Sequence, residues 1–238
     1  MEVTLKITSL ALLVLSVQSA VLPVEKCTLT DKACMVPAVQ KMLPYFIAGM
    51  PENDVEVLDP LAMDDVQFDL SGLQFSLKGG VLKGLKNAEI DSVDWNDKKK
   101  VFSVTFHMDC VVKGAYTAAG RILILPITGD GKMKLTLKNL ELKLNFNYDT
   151  VTIGDKEHLK LTKYSNEFDV KGNAHFALTN LFNGNKELSN TMLTFLNENW
   201  KQVSQEFGKP MVTTAAKKIY TNVNNFFTKL PIGEIANV

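Results

Sequence analysis

Three histidines, three cysteines and a short lysine tract are the residues in this chain with the most chemical potential. His107, His158 and His175 stand apart from one another and from any cysteine or carboxylate at metal-ligand spacing. His107 falls on the polar side of an alternating segment, and His175 interrupts the polar phase of Asn173 to Ala177, so both read as solvated side chains. No G-x-S-x-G occurs, which removes the strand-to-helix serine elbow of lipases and esterases. Lys78-Gly79-Gly80 is a turn with no helix behind it, and so not a phosphate cradle. Asp97-Lys98-Lys99-Lys100 reads as a solvated hairpin tip. The expectation is a protein without catalytic residues, metal or cofactor.

The first twenty residues have the layout of a secretory leader. Lys6 precedes an uncharged run from Thr8 to Ala20 that closes on the small residues Ser19 and Ala20. That run is shorter than the ~20 apolar residues a bilayer requires. The division expected is residues 1–20 as signal peptide and 21–238 as one secreted, extracellular domain, since no Pro/Gly/Ser-rich linker divides the remainder. The 26 acidic residues balance the 26 basic ones, and loss of Glu2 and Lys6 with the leader keeps that balance. A neutral chain offers no footprint for nucleic acid and no polybasic run for anionic lipid, and no later segment inserts stably in a membrane. Outside the cell, Cys27 and Cys34, seven positions apart, are expected to form a disulfide. Cys110 lies in the apolar phase of Phe102-Val104-Phe106-Met108-Cys110-Val112 and reads as a buried, inert thiol.

The elements that position these residues are mostly strands, followed by a helix. Pro37 to Ile47 reads as a short helix that Pro44 bends or shortens. Val66 to Lys78 alternates with a phase shift at Gly72, Val81 to Trp95 is a second extended run, and Val101 to Val112 is the clearest strand. Ile122 to Leu125 is apolar on both faces, which implies cover on both sides or a bulge, and Gly129-Asp130-Gly131 signals a hairpin turn. Met133, Leu135 and Leu137 occupy odd positions, whereas Leu140, Leu142, Leu144, Phe146 and Tyr148 occupy even ones. A period of two changes phase only by inserting a residue, so the pattern predicts a β-bulge at Lys138-Asn139. A second slip follows between Leu161 and Phe168. Repeated slips along long strands describe a bent sheet.

Lys186 to Leu230 then carries apolar residues every three or four positions, a helical run of roughly 65 Å with Asn185 as its N-cap. Leu188 to Phe207 and Val212 to Leu230 point about half a turn apart on the helical wheel. The spacing predicts two segments, Lys186 to Phe207 and Met211 to Lys229, kinked near Gly208-Pro210 and enclosed by the curved sheet. The first of these, with Trp200, is the expected ligand-facing half. Such an architecture suits either a carrier with an interior cavity or a solid core, and the residues alone leave both open.

Specific stretches carry a resemblance. Cys27-x6-Cys34, Leu58-Asp59-Pro60-Leu61 and the run Gly120 to Gly131 occur in order, followed by Leu181-Phe182-Asn183-Gly184-Asn185 and Leu196-Asn197-Glu198-Asn199-Trp200. Together they resemble the takeout family of insect secreted proteins, related to the haemolymph juvenile hormone binding proteins. The resemblance implies an α+β fold in which a highly curved antiparallel sheet wraps a long C-terminal helix, similar to one half of the bactericidal/permeability-increasing type of lipid-transfer protein. It implies a carrier of small hydrophobic ligands, terpenoids or long-chain lipids, held in an internal tunnel. Juvenile hormone binders carry a second disulfide; here only Cys110 remains, which places the chain on the takeout side. On this reading the ligand-lining residues are Phe102, Val104, Phe106, Met108, Ile124, Leu135, Leu142, Leu144, Phe146, Phe168 and Phe176 of the sheet, with Trp200, Val203 and Phe207 of the helix. Tyr116, Tyr148 and Tyr164 are candidates for a polar tip toward a ligand head group. The expected working unit is a monomer, with any receptor left unspecified. The rival readings are a secreted interaction protein with a solid core and an enzyme acting on lipids.

Overall fold

The computed structural model describes residues 25–237, so the expected leader lies outside the described residues. The chain opens with β1 (Cys27–Thr28) and α1 (Lys32–Ala48). The strands β2 (Leu61–Ala62), β3 (Val66–Leu70), β4 (Leu73–Lys83) and β5 (Glu89–Asn96) follow. Three long strands come next: β6 (Val101–Ile122), β7 (Leu125–Ile153) and β8 (Lys156–Leu178). The chain closes with α2 (Lys186–Glu198), α3 (Trp200–Lys229), α4 (Ile232–Ile235) and β9 (Ala236–Asn237).

The strands from β2 to β8 form one antiparallel sheet along the path β2-β4-β6-β7-β8. β3 lies beside β4, and β5 shares the edge of β6 with β4, taking its Val101–His107 end. At ~3.3 Å per residue a straight β7 of 29 residues would reach about 95 Å, against the 5–6 residues of an ordinary strand. It therefore has to coil. The phase change read at Lys138-Asn139 is one place where it does: pairing with β8 jumps from Lys138↔Asn173 to Leu140↔Val170, and Asn139 takes a φ of 49°. Asp109 across on β6 fastens this bulge, accepting from Asn139 N at 2.9 Å and Lys138 Nζ at 2.6 Å. The second slip skips Thr162, between Asn147↔Lys163 and Tyr148↔Leu161.

The turn signal at Gly129-Asp130-Gly131 marks something else. Those residues lie inside β7, and the reversal is two residues long, Leu123-Ile124, between paired Ile122 and Leu125. Leu123 takes the positive φ of 53°. The glycines serve close approach: a Cβ on Gly131 would sit 2.4 Å from Thr179 O, and one on Gly129 would sit 2.7 Å from Tyr116 Oη. The apolar run through Ile122 to Leu125 is thus a turn, not a covered strand. The phase shift at Gly72 is likewise a turn, joining β3 to β4 through Ser71 and Gly72, both at positive φ. The expected Val81 to Trp95 run is divided by a helical turn at Leu85–Asn87.

α1 begins earlier and ends later than its periodicity suggests. Asp31 caps it by accepting from the N–H groups of Ala33 and Cys34. Pro44 does not shorten it, because tertiary contacts hold the helix on both sides of that proline: Gln40 bonds Ala88 O and Ile90 N, and Ile47 is buried in the last turn. Cys27 and Cys34 are joined, with Cα atoms 5.7 Å apart, tying β1 to this helix.

α3 packs against both β8 and β3, which lie at opposite edges of the sheet. A sheet curved around the helix brings both edges to it. That geometry resolves the conflict between the two apolar stripes, since Val203 and Phe207 are buried in the first half while Ala216 and Phe226 are buried in the second. The helix divides at Asn199, not at Gly208-Pro210. Asn199 spends both its backbone N–H and its side-chain amide on Phe195 O, whereas α3 runs unbroken through Gly208 and Pro210. Gly208 answers a packing need: a Cβ there would lie 2.9 Å from Phe168 Cζ. Asn185 caps α2 as its sequence predicts, accepting from Leu188 N at 3.1 Å.

Candidate ligand-binding cavities

Between the inner face of the sheet and α3 lie two cavities with almost wholly apolar walls. The first, about 130 Å³, is enclosed by β4, β6, β7, β8 and both halves of α3; Ser204 is its one polar side chain. The second, about 220 Å³, lies between α1, β5, β6, β7 and the later turns of α3, with Glu25 as its one charged side chain. Leu144 and Ile219 line both, so the cavities meet end to end at these two residues. The cause is local: alternation on β6 and β7 turns every second side chain inward, and on α3 the phase drift carries different residues past the two compartments.

Among the residues expected to line a site, Leu135, Leu142, Leu144, Phe168, Phe176, Val203 and Phe207 face the first cavity. Phe102, Val104, Phe106 and Phe146 face the second, and Leu144 faces it too. Four candidates lie elsewhere. Ile124 is 80% exposed at the tip of the β6–β7 turn, where no face of the sheet is inward. Met108 is buried but lines neither cavity. Tyr148 is occupied, its hydroxyl donating to Asp97 at 3.0 Å and accepting from Trp95 Nε1 at 2.8 Å. Trp200 borders a separate outer pocket of about 220 Å³ with Phe168, Asp169, Val170, Lys201, Ser204 and Gln205. Nor do the other tyrosines line either cavity: Tyr116 is buried in the core and donates to Thr179 O at 2.8 Å, and Tyr164 stacks on Tyr220 at 4.7 Å between centroids.

Sequence reasoning passed over α1 and the second half of α3. Val39, Met42, Leu43 and Phe46 wall the second cavity, and Met211, Val212 and Ala215 wall the first. The signal was present in the apolar stripe from Val212 to Phe227, which the emphasis on Trp200 obscured.

Apart from Glu25, no charged side chain lines either cavity. His107 Nδ1 lies 2.8 Å from Asp91 and its Nε2 lies 3.6 Å from Glu89, carboxylates brought alongside by β5. Among the described residues no group of three or more such side chains is arranged to hold a metal ion. Asp169 is held below the usual carboxylate range mainly by its hydrogen bond to Lys171, with Lys201 adding to the effect. Burial pushes the Cys110 thiol up to about 12, which keeps it protonated and inert. No helix among the described residues is long and apolar enough to cross a membrane.

Residues 8–237 match the family described as haemolymph juvenile hormone binding protein. The crystal structure of Epiphyas postvittana Takeout 1 is similar, at 62% identity and a TM-score of 0.88, over 90% of this chain and 100% of that one. The circadian clock-controlled protein daywake of Drosophila melanogaster is 28% identical over 225 residues, 89% of this chain and 86% of its own length. The juvenile hormone-binding protein of Manduca sexta is 36% identical over a shorter stretch of 90 residues, 37% of this chain and 38% of that protein.

Proposed function

The chain belongs to the takeout and haemolymph juvenile hormone binding protein family, and from that premise we propose that it is a secreted carrier of a small hydrophobic ligand. The observation that carries the proposal is the pair of apolar cavities meeting at Leu144 and Ile219. Neither compartment alone reaches the ~300–1,000 Å³ of ordinary ligand sites, but joined as one tunnel they pass its lower limit. A long, narrow ligand suits that shape better than a compact one. Its affinity comes from burial at roughly 0.8 kcal/mol per methylene, so an eight-carbon chain gains about 6 kcal/mol before ordering costs.

The ligand enters where Cys27 and Leu29 line the second cavity, and the bond from Cys27 to Cys34 holds that segment in place. The cavity residues Phe102, Val104, Phe106, Leu135, Leu142, Leu144, Phe146, Phe168, Phe176, Val203 and Phe207 form the binding surface. The reading is binding without turnover, because the hydroxyl of Ser204 in the first cavity has no imidazole or carboxylate beside it on the lining. An extracellular location accords with the disulfide.

The test is to purify the protein natively, extract it with organic solvent and identify what is released by mass spectrometry. An apolar molecule in near-stoichiometric amount is the expected result. If nothing is released and a fluorescent fatty acid fails to bind, the solid-core reading replaces this one; the small size of each separate compartment is what favours that alternative.

A further inference from the structure

The reversal between β6 and β7 departs from turn chemistry in two ways. Two-residue hairpin turns take glycine, asparagine or aspartate where φ is positive. Leucine stands there instead, Leu123 at 53°, followed by Ile124, which is 80% exposed. A leucine in the left-handed region and an isoleucine left in water both cost stability, and neither is needed to reverse the chain. Leu123 and Leu125 pack against the core on either side, so Ile124 is held outward from a fixed base. The β3–β4 turn lies alongside, fastened by the bond from Arg121 N to Gly72 O at 2.9 Å, and adds the exposed side chain of Leu70. Leu73 and Ile122, which border the two turns, line the first cavity.

We propose that this double-turn tip docks on the surface of a phospholipid bilayer, where the first cavity is loaded or emptied. The inference rests on the carrier reading for its purpose and adds the partner. Ile124 stands beyond the last pair of the ladder, Ile122 with Leu125, and so offers a wedge and not a recess. A bilayer closes around a wedge of any shape, whereas a protein partner would need a matching pocket. The flanking charges also suit lipid head groups. Arg121 is exposed, reaches over the β3–β4 turn to within 3.7 Å of where a Cβ on Gly72 would stand, and forms no ion pair among the described residues. It is placed to meet a lipid phosphate. No acidic residue occurs from Gly120 to Gly129; Asp69 and Asp130, just behind the turns, accept from Gln74 at 3.3 Å and Asn180 at 2.7 Å. The chain as a whole is neutral, so apolar contact supplies the affinity and salt should alter it little. One such wedge gives a shallow, reversible contact, not stable insertion.

Flotation with phosphatidylcholine vesicles tests the docking, and binding of the dye N-phenyl-1-naphthylamine, which needs only a cavity, tests the carrier separately. The protein should float with the vesicles at low and at high salt. Ile124→Asp should weaken vesicle binding by at least about tenfold and leave dye binding unchanged, since Ile124 lines neither cavity. Leu123→Gly combined with Ile124→Ser supplies residues that such turns favour, so its loss of flotation cannot be laid to a disrupted hairpin. Ile124→Trp should keep binding and show a blue shift of tryptophan emission when vesicles are added. Dye binding without flotation, or flotation that Ile124→Asp leaves intact, overturns the docking tip and leaves the carrier standing. Self-association that Ile124→Asp abolishes, with no vesicle binding, overturns it in favour of a second copy of the chain. Flotation without dye binding keeps the tip and overturns the carrier.

Discussion

The side-chain amide of Asn197 on α2 pairs with both backbone groups of Phe176 on β8, accepting from its N–H at 2.7 Å and donating to its C=O at 3.1 Å. A helix residue thereby supplies what a further strand would have supplied, and an edge that would otherwise invite pairing is capped. Asn197→Ala leaves two half-buried backbone groups unpartnered and should lower the unfolding free energy by about 2 kcal/mol. Denaturant titration measures this; a loss within experimental error would show that water takes over the amide's role.

Gly208 faces the ring of Phe168, with Cζ 2.9 Å and Cε2 3.1 Å from where a Cβ would stand. Alanine in a helix interior usually stabilises by about 1 kcal/mol over glycine. Overpacking costs ~1–3 kcal/mol, so here the clash should win and Gly208→Ala should destabilise. Adding Phe168→Leu should return the helix-propensity gain, and a double-mutant cycle of unfolding free energies reads the coupling directly.

Leu144 stands where the two cavities meet. Leu144→Trp should divide the proposed tunnel, weakening a sixteen-carbon ligand by at least about tenfold and an eight-carbon ligand much less. Displacement of a fluorescent fatty acid by chains of increasing length is the assay. Equal weakening at every length would mean that no ligand crosses that point.

Two tyrosines make stability fall at alkaline pH. Burial, then the hydrogen bond to Asp97, pushes Tyr148 up to about 12; burial, then the charge of Asp130, does the same for Tyr116. An unfolded tyrosine ionises near ~10. The folded state therefore holds protons that the unfolded state releases, so the contribution is intact below pH ~10 and is lost as pH rises toward 12. Unfolding free energies between pH 9 and 11.5 should decline, and Tyr148→Phe should flatten the decline. Tyrosinate absorbance should show these two ionising late among the five tyrosines, with Tyr164 also delayed by burial.

What the sequence disclosed depended on whether a pattern had one physical cause or several. A phase change in alternation has one, an inserted residue, and Lys138-Asn139 was legible for that reason. Glycine has several. At 129 it admits Tyr116, at 131 Thr179 and at 208 a phenylalanine ring, and reading these as a turn and a helix break placed Ile124 in the interior and the helix interruption nine residues late. Neighbours contributed by distant strands decide such cases, and no local window contains them. Tyr148 failed as a candidate for the same reason, because its partners Trp95 and Asp97 come from β5 and the loop beyond it.

The nested pairing of β6 and β7 also dictates an order of events. Ile122 with Leu125 closes the smallest loop, and each pair beyond it, out to Val101 with Asn147, adds only a few residues to a loop already closed. The ladder is thus able to zip outward from Leu123-Ile124, with β8 extending it from Ile153 and Lys156, while α3 has nowhere to dock until the trough exists. Substitutions at Ile122 should slow folding, and substitutions at Phe226 should mainly hasten unfolding, a contrast that stopped-flow kinetics resolves. On that order the hollow is set late, by how closely the last-arriving helix can approach a surface already fixed.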